Sequence, residues 1–149
     1  MRRIFATALI GTVILATAAT AADDYVVMPK SSRVFTPGAG GFASQQSLLN
    51  HKNSQASSTI RDKDGQAEVH ADWEDHMFIL AGEASLTLGG TVENGKTTAP
   101  GETRGDSIKG GKTIVLHPED YIFIPVNTPH RMMVAPGKTI RYAVVKTHP

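Results

Sequence analysis

The chain has 149 residues, a length that suits one domain with its own hydrophobic core and is too short for two. Its 15 basic and 14 acidic residues give a formal net charge of +1, so the chain lacks the excess positive charge of nucleic-acid and anionic-membrane binders. It contains no cysteine, which excludes disulfides and thiolate metal sites. Any metal would have to be held by histidine, carboxylate or water, and these ligands suit Fe, Mn, Zn or Ni.

Residues 1–21 have the pattern of a secretory signal peptide. Arg2 and Arg3 precede an apolar run over residues 4–18, and Ala19 and Ala21 stand where small residues mark a cleavage site. We therefore expect a periplasmic or secreted protein with no membrane attachment after cleavage. An uncleaved anchor is the alternative, although the apolar run is short for a bilayer span. Cleavage would remove both arginines and leave 13 basic against 14 acidic residues, a net charge of −1.

Residues 22–58 are predicted to form an N-terminal arm and loop. This stretch has weak apolar periodicity and contains Pro29, Pro37 and a glycine-rich run at 38–41. Short strands at 25–28 and 33–35 are candidates within it. The barrel domain is predicted over residues 59–149.

The rest of the chain alternates short apolar runs with turn residues, a pattern typical of an antiparallel β-sandwich or barrel. Residues 62–65, with the Asp-Gly pair at their end, predict a hairpin between the strands on either side of them. Residues 91–112 are rich in glycine, threonine and charge, and predict a long surface loop. The predicted strands are 57–61, 66–71, 76–80, 84–88, 113–116, 121–124, 131–134 and 139–146.

One segment has a competing local interpretation. Asp72 could cap a helix over residues 73–80, with Gly82 as its C-terminal stop. We favour a strand because the run is short and no second helical segment exists for it to pack against.

Two segments combine polar ligand-type residues with apolar strands. Residues 68–82 read EVHADWEDHMFILAG and residues 121–132 read YIFIPVNTPHRM. Together they resemble the two motifs of the cupin superfamily, G-x5-H-x-H-x3,4-E-x6-G and G-x5-P-x-G-x2-H-x3-N.

The match to these motifs is partial. In the first, Gly82 matches the final glycine and His70 the second histidine, whereas Asp75 replaces the glutamate and Glu68 the first histidine. In the second, Pro125 and His130 match. Three further positions differ from the second motif, with Glu119 and Asn127 at its two glycines and Val134 at its asparagine.

The resemblance implies an all-β fold, an antiparallel double-stranded β-helix or jelly-roll barrel of the single-domain type. It also implies a divalent metal held by His70, Asp75 and His130, with Glu68 as a further ligand. Cupins include dioxygenases, isomerases, lyases and decarboxylases as well as non-catalytic binders, and they commonly dimerise through sheet edges. A homodimer is therefore expected.

The residues support such a site on their own chemistry. Glu68 and His70 are two apart on an extended strand, so their side chains share a face. Asp75 opens the next strand, and His130 comes from a distant part of the chain. Two imidazoles and one carboxylate form a triad that leaves open positions on Fe(II) or Mn(II). Aspartate is one methylene shorter than glutamate, so Asp75 either coordinates at the limit of its reach or binds through water.

Other interpretations of these residues stay open at this point. His70 can be an exposed residue before a turn, and Glu68 and Asp75 can be solvated strand ends. A second ligand set, His70, Asp72 and His76, is local in sequence.

The surroundings predict a pocket for a small, partly apolar organic molecule. Strand alternation from Asp75 places Met77 and Ile79 inside the barrel. Further large apolar residues around the site are core by default, namely Trp73, Phe78, Phe123, Met132, Met133 and Tyr142. The sequence thus predicts a metal-binding protein that binds or transforms a small molecule. A metal-free small-molecule or sugar-binding module and a non-catalytic envelope protein are the alternatives.

Overall fold

A computed structural model of the protein describes residues 26–34 and 44–149. These residues form thirteen strands and one short 3-10 helix, Lys30–Ser32. The strands are β1 Ser44–His51, β2 Ser54–Arg61, β3 Ala67–His70, β4 Glu74–Gly82, β5 Ala84–Leu88, β6 Thr91–Glu93, β7 Lys96–Ala99, β8 Glu102–Gly105, β9 Ser107–Lys109, β10 Lys112–Leu116, β11 Tyr121–Ile124, β12 His130–Met133 and β13 Ile140–Thr147.

The strands build two large antiparallel sheets and a small one. The five-stranded sheet has the order β1-β2-β13-β4-β11, and the six-stranded sheet has the order β10-β5-β12-β3-β8-β7. Strands β6 and β9 form a separate pair. Buried residues from both large sheets belong to one apolar cluster, which includes Met77, Leu86, Met132 and Tyr142. The predicted all-β antiparallel fold is confirmed.

Alternation along the strands explains this core. In β4, Asp75, Met77 and Ile79 are buried while Phe78 and Leu80 are exposed. This period of two is that of a strand, so the strand prediction for this segment is confirmed and the helix alternative is wrong. Met77 and Ile79 point inward, as predicted from Asp75.

The predicted hairpin over residues 57–71 is wrong. Strand β2 pairs with β1 and β13, whereas β3 pairs with β12 and β8 in the other sheet. Residues 62–66 therefore carry the chain from one sheet to the other. Local turn residues indicate a change of direction, but the partners of each strand are decided by contacts far away in sequence.

The described residues differ from the N-terminal prediction in where their strands lie. Strands β1 and β2 begin at Ser44 and Ser54, within the segment predicted as arm and loop. β1 is mostly polar and lies at the edge of its sheet, so it shows no apolar alternation. Residues 26–34 contain no strand, and the predicted signal peptide and the glycine-rich run lie outside the described residues. No helix in the described part of the chain is long and apolar enough to cross a bilayer.

The prediction of a surface loop over residues 91–112 is also wrong. This segment contains four strands, and β7 and β8 extend the six-stranded sheet beyond β3. Strand β7 is exposed and β8 is mostly half-buried, so polar residues suit both strands and apolar periodicity is absent.

Three positions where the cupin motifs have glycine adopt a backbone conformation with positive φ. Gly82 has φ +82°, and a Cβ there would lie 2.0 Å from the carbonyl oxygen of Thr139. Glu119 and Asn127, which replace motif glycines, keep positive φ values of 77° and 60°. The backbone N–H of Asn127 donates to the carbonyl oxygen of His70 at 2.7 Å. This bond ties the turn before β12 to the end of β3.

Candidate functional site

Three strands bring the predicted ligand residues together inside the barrel. Glu68 and His70 lie on β3, Asp75 on β4 and His130 on β12. His130 pairs directly with Glu68 across the two strands, and the imidazole rings of His70 and His130 are 5.0 Å apart between centroids. The order of strands in the sheet therefore converts two distant sequence segments into one cluster.

The polar atoms of this cluster converge closely. His130 Nε2 lies 3.6 Å from Glu68 Oε1 and 3.6 Å from Asp75 Oδ2. His70 Nε2 lies 3.5 Å from Asp75 Oδ2. Glu68, His70 and His130 each place one possible metal-binding atom within 4.8 Å of the other two, a spacing that can hold a metal ion. Both histidines and Asp75 are buried.

Each histidine is oriented through its other nitrogen. His130 Nδ1–H donates to the carbonyl oxygen of Thr128 at 3.0 Å, which directs Nε2 into the cluster. His70 Nδ1–H donates to the carboxylate of Glu102 at 2.8 Å. Partners of this kind fix the tautomer and the ring orientation of metal-binding histidines.

Strand β8 supplies two residues that sequence reasoning missed. Glu102 and Arg104 stand opposite His70 and Glu68 in the β3–β8 register. Arg104 Nη1 lies 2.7 Å from Glu68 Oε2 and Nη2 lies 3.8 Å from Glu102 Oε2. Charged residues at every second position of β8 were the available signal of a strand with one polar face. They lie within the segment that was predicted as a solvated loop.

Lys146 is a third missed residue and lies within the cluster. It faces Asp75 in the β13–β4 register, and its Nζ lies 2.7 Å from Asp75 Oδ1. The same ammonium lies 2.7 Å from His70 Nε2 and donates a hydrogen bond to it. The Lys146 ammonium thus contacts two of the predicted metal ligands.

The local alternative set of ligands is not brought together. His76 lies on the outer face of β4, where its Nδ1 is 2.7 Å from the hydroxyl of Tyr121 and its ring is 5.1 Å from that of Phe123. Asp72 is exposed at the turn before β4. Only His70 of this set contributes to the cluster.

The charges of the cluster depend on one another. Burial raises the pKa of Glu68, but the nearby imidazole of His130 and the guanidinium of Arg104 outweigh it and lower that pKa. The pKa of Asp75 is likewise lowered, because His70 and Lys146 outweigh its burial. Burial lowers the pKa of His70, whereas Asp75 and Glu102 raise it to about 9. The positive charge of Lys146 opposes that rise in the pKa of His70, because two like charges repel at close range.

The cluster lines a cavity of about 470 Å³ within the barrel. Trp73, Met77, Met132 and Tyr142 contribute to its wall. Phe78 and Phe123, predicted to surround the site, instead lie on the outer face with 45% and 46% exposure. A cavity of this volume matches the usual size of small-molecule sites.

The chain matches no protein-family model and no curated protein sequence. It is similar in structure to the polyketide cyclase RemF from Streptomyces resistomycificus, with a TM-score of 0.59 and 18% identity over 83% of this chain and 79% of that one. It is also similar to a cupin-like protein from Thermotoga maritima, with a TM-score of 0.53 and 14% identity over 77% of this chain and 80% of that one. A third similar structure is the Schizosaccharomyces pombe Cnp3 cupin domain, with a TM-score of 0.51 and 9% identity over 71% of this chain and 64% of that domain.

These similarities extend over most of the chain and bear on its architecture. The structures include proteins described as cupins, and the strand order described above places the two motif segments as the sequence resemblance implies. The chain therefore has the cupin fold.

Proposed function

We propose that the protein binds a divalent metal in the barrel through His70, His130 and Glu68, with Asp75 as a fourth ligand, and binds or transforms a small organic molecule beside it. The observation that carries this proposal is the surroundings of His130 Nε2. This buried nitrogen lies 3.6 Å from each of two carboxylates and has no hydrogen-bond partner among the described residues. Buried polar atoms usually have a partner, so an unpaired imidazole nitrogen aimed at carboxylates supports a bound cation as that partner.

The donor set fits a transition metal. Imidazole and carboxylate together suit Fe, Mn, Zn or Ni, whereas Mg and Ca prefer oxygen alone. The hydrogen bonds from His70 to Glu102 and from His130 to Thr128 supply the outer partners that such ligands have. A metal held here would polarise a carbonyl or hydroxyl oxygen of a bound molecule.

Metal content tests this proposal directly. We expect close to one metal per chain in protein purified without an affinity tag, and a fall to below about a tenth of that in His130→Ala, because a lost ligand weakens the site more than the fold. Elemental analysis measures the metal, and circular dichroism checks that the barrel is retained.

His117→Ala is the matched control for this experiment. His117 is exposed and lies outside the cluster, so its loss should leave the metal content unchanged. Stoichiometric metal in folded His130→Ala would show that the assigned ligands are wrong.

A metal-free binding module is the second candidate, and the position of Lys146 favours it. The Lys146 ammonium contacts His70 Nε2 and Asp75 Oδ1, so it already supplies a positive charge to the cluster. In this case the carboxylates and imidazoles would serve as hydrogen-bonding groups for a polar ligand such as a sugar.

The variant Lys146→Met separates the two candidates. If the site binds metal, removing the ammonium should raise metal affinity at least about tenfold, because a like charge no longer opposes the ion at close range. Titration calorimetry with Zn²⁺ and Mn²⁺ on metal-free protein measures the affinity. Lys112→Met, at an exposed position of β10, is the control. Absence of metal binding in both wild type and Lys146→Met would favour the metal-free module.

Export and dimerisation are further proposals. The leader pattern at residues 1–21 supports export to the periplasm or beyond the cell.

The outer face of the five-stranded sheet supports a homodimer, because Phe78, Leu80, Tyr121 and Phe123 are exposed together on β4 and its edge neighbour β11. Light scattering of the mature protein should give twice the chain mass, and an intact mass should show cleavage near residue 21. A monomer, or an uncleaved chain in the exported fraction, would contradict the respective proposal.

A further inference from the structure

The two oxygens of the Glu68 carboxylate face different partners. Glu68 Oε1 lies 3.6 Å from the buried Nε2 of His130, within the proposed metal cluster. Glu68 Oε2 forms an ion pair with Arg104, whose Nη1 lies 2.7 Å away. One oxygen is therefore held by a guanidinium of the neighbouring strand β8, and the other faces the imidazole.

Arg104 also reaches a second carboxylate of the same site. Its Nη2 lies 3.8 Å from Glu102 Oε2, and the carboxylate of Glu102 accepts a hydrogen bond from His70 Nδ1 at 2.8 Å. The planar guanidinium thus contacts both the carboxylate of one proposed ligand and the carboxylate that orients another. A lysine ammonium is a compact point charge and has no such fork.

The ion pair with Arg104 is not needed to attach β8 to β3. Residues Ala67–His70 and Glu102–Gly105 already pair along their whole length. The backbone N–H of Ala71 also donates to the carbonyl oxygen of Gly101 at 2.8 Å. Ion pairs between partly exposed side chains contribute little to stability, and the side chain of Arg104 is 29% exposed. Because Arg104 lines the cavity, its placement bears on the site more than on the fold.

This arrangement limits how Glu68 can coordinate a metal. A carboxylate binds an ion through one oxygen or through both. At Glu68 the guanidinium already contacts Oε2, and its positive charge opposes a second cation there. Oε1 is the oxygen directed at His130, so Glu68 fills one coordination position instead of two. The position that it leaves is open to an oxygen of the bound molecule.

We propose that Arg104 is a positioning residue that restricts Glu68 to a single metal-binding oxygen. The inference rests on the proposed metal-binding function, and it adds the residue that sets how many coordination positions the protein fills. A guanidinium has donors only, so Arg104 is not itself a ligand. It acts through Glu68 and through Glu102.

The variant Arg104→Lys tests this inference. It keeps the positive charge but loses the planar fork, so Glu68 and Glu102 are no longer held by one group. We expect the Zn²⁺ affinity to fall about tenfold or more, the usual effect of losing a partner that orients a metal ligand. Titration calorimetry on metal-free protein measures this affinity. The visible absorption spectrum of the Co²⁺-loaded protein, which depends on coordination geometry, should change as well.

Arg131→Lys is the matched control. Arg131 adjoins His130 in sequence, but its Nε donates to the carbonyl oxygen of Gly65 at 2.9 Å and its Nη2 lies 3.7 Å from Asp64 Oδ2. Its replacement should leave the Zn²⁺ affinity and the Co²⁺ spectrum unchanged, whatever its effect on the thermal unfolding midpoint. Arg104→Gln is the second variant if Arg104→Lys does not fold, and its Co²⁺ spectrum should also differ from that of the wild type.

The outcomes separate this inference from the proposed function. Stoichiometric metal in the wild type, with an unchanged affinity or an unchanged spectrum in folded Arg104→Lys, would overturn the inference alone. An equal loss of affinity in Arg131→Lys would also overturn it, because the effect would then not be specific to Arg104. Absence of metal binding in the wild type would contradict the proposed function and this inference with it.

Discussion

The structure of this protein depends on one register, the pairing of β12 with β3 that sets His130 opposite Glu68. The two strands are sixty residues apart in the chain, and the bond from the Asn127 N–H to the His70 carbonyl fixes how they meet. A slip of one residue would turn every side chain of β12 to the other face. The same pairing that joins β10-β5-β12 to β3-β8-β7 therefore also assembles the cluster of imidazoles and carboxylates.

That cluster is dense in charge for a protein interior. Glu68, Asp75 and Glu102 are neutralised by Arg104, by Lys146 and by the two histidines. Buried charges are costly unless they are paired, so the arrangement indicates selection for something other than stability. Lys146 holds Asp75 and His70 together when no other cation is present. These ion pairs do not include a hydrogen bond for His130 Nε2, which stays without a partner among the described residues.

The sequence predicts the parts of this architecture that leave a local pattern. The short apolar run of β4 and the apolar–polar alternation of β5 predict both as strands, and Gly82 lies where the backbone needs positive φ. Glu119 and Asn127 depart from the motif in residue type but keep its positive φ, because asparagine tolerates the left-handed region and the surrounding structure imposes it on the glutamate. The motif thus predicts the backbone better than it predicts the side chains.

The parts that could not be predicted depend on contacts between distant segments. Strands β7 and β8 have no apolar periodicity, since β7 is the exposed edge of its sheet and β8 presents polar residues to the cavity. Glu102 and Arg104 therefore look like loop residues until β3 lies beside them. Lys146 likewise looks like an ordinary residue near the C-terminus, and only the register of β13 with β4 places it against Asp75.

X-ray absorption spectroscopy of the purified protein after reconstitution with a divalent metal tests the central claim most directly, because it counts the ligands around the ion. The account predicts two imidazoles in the first coordination sphere together with carboxylate or water oxygen. A sphere with no imidazole, or a protein that takes up no metal at all, would contradict it.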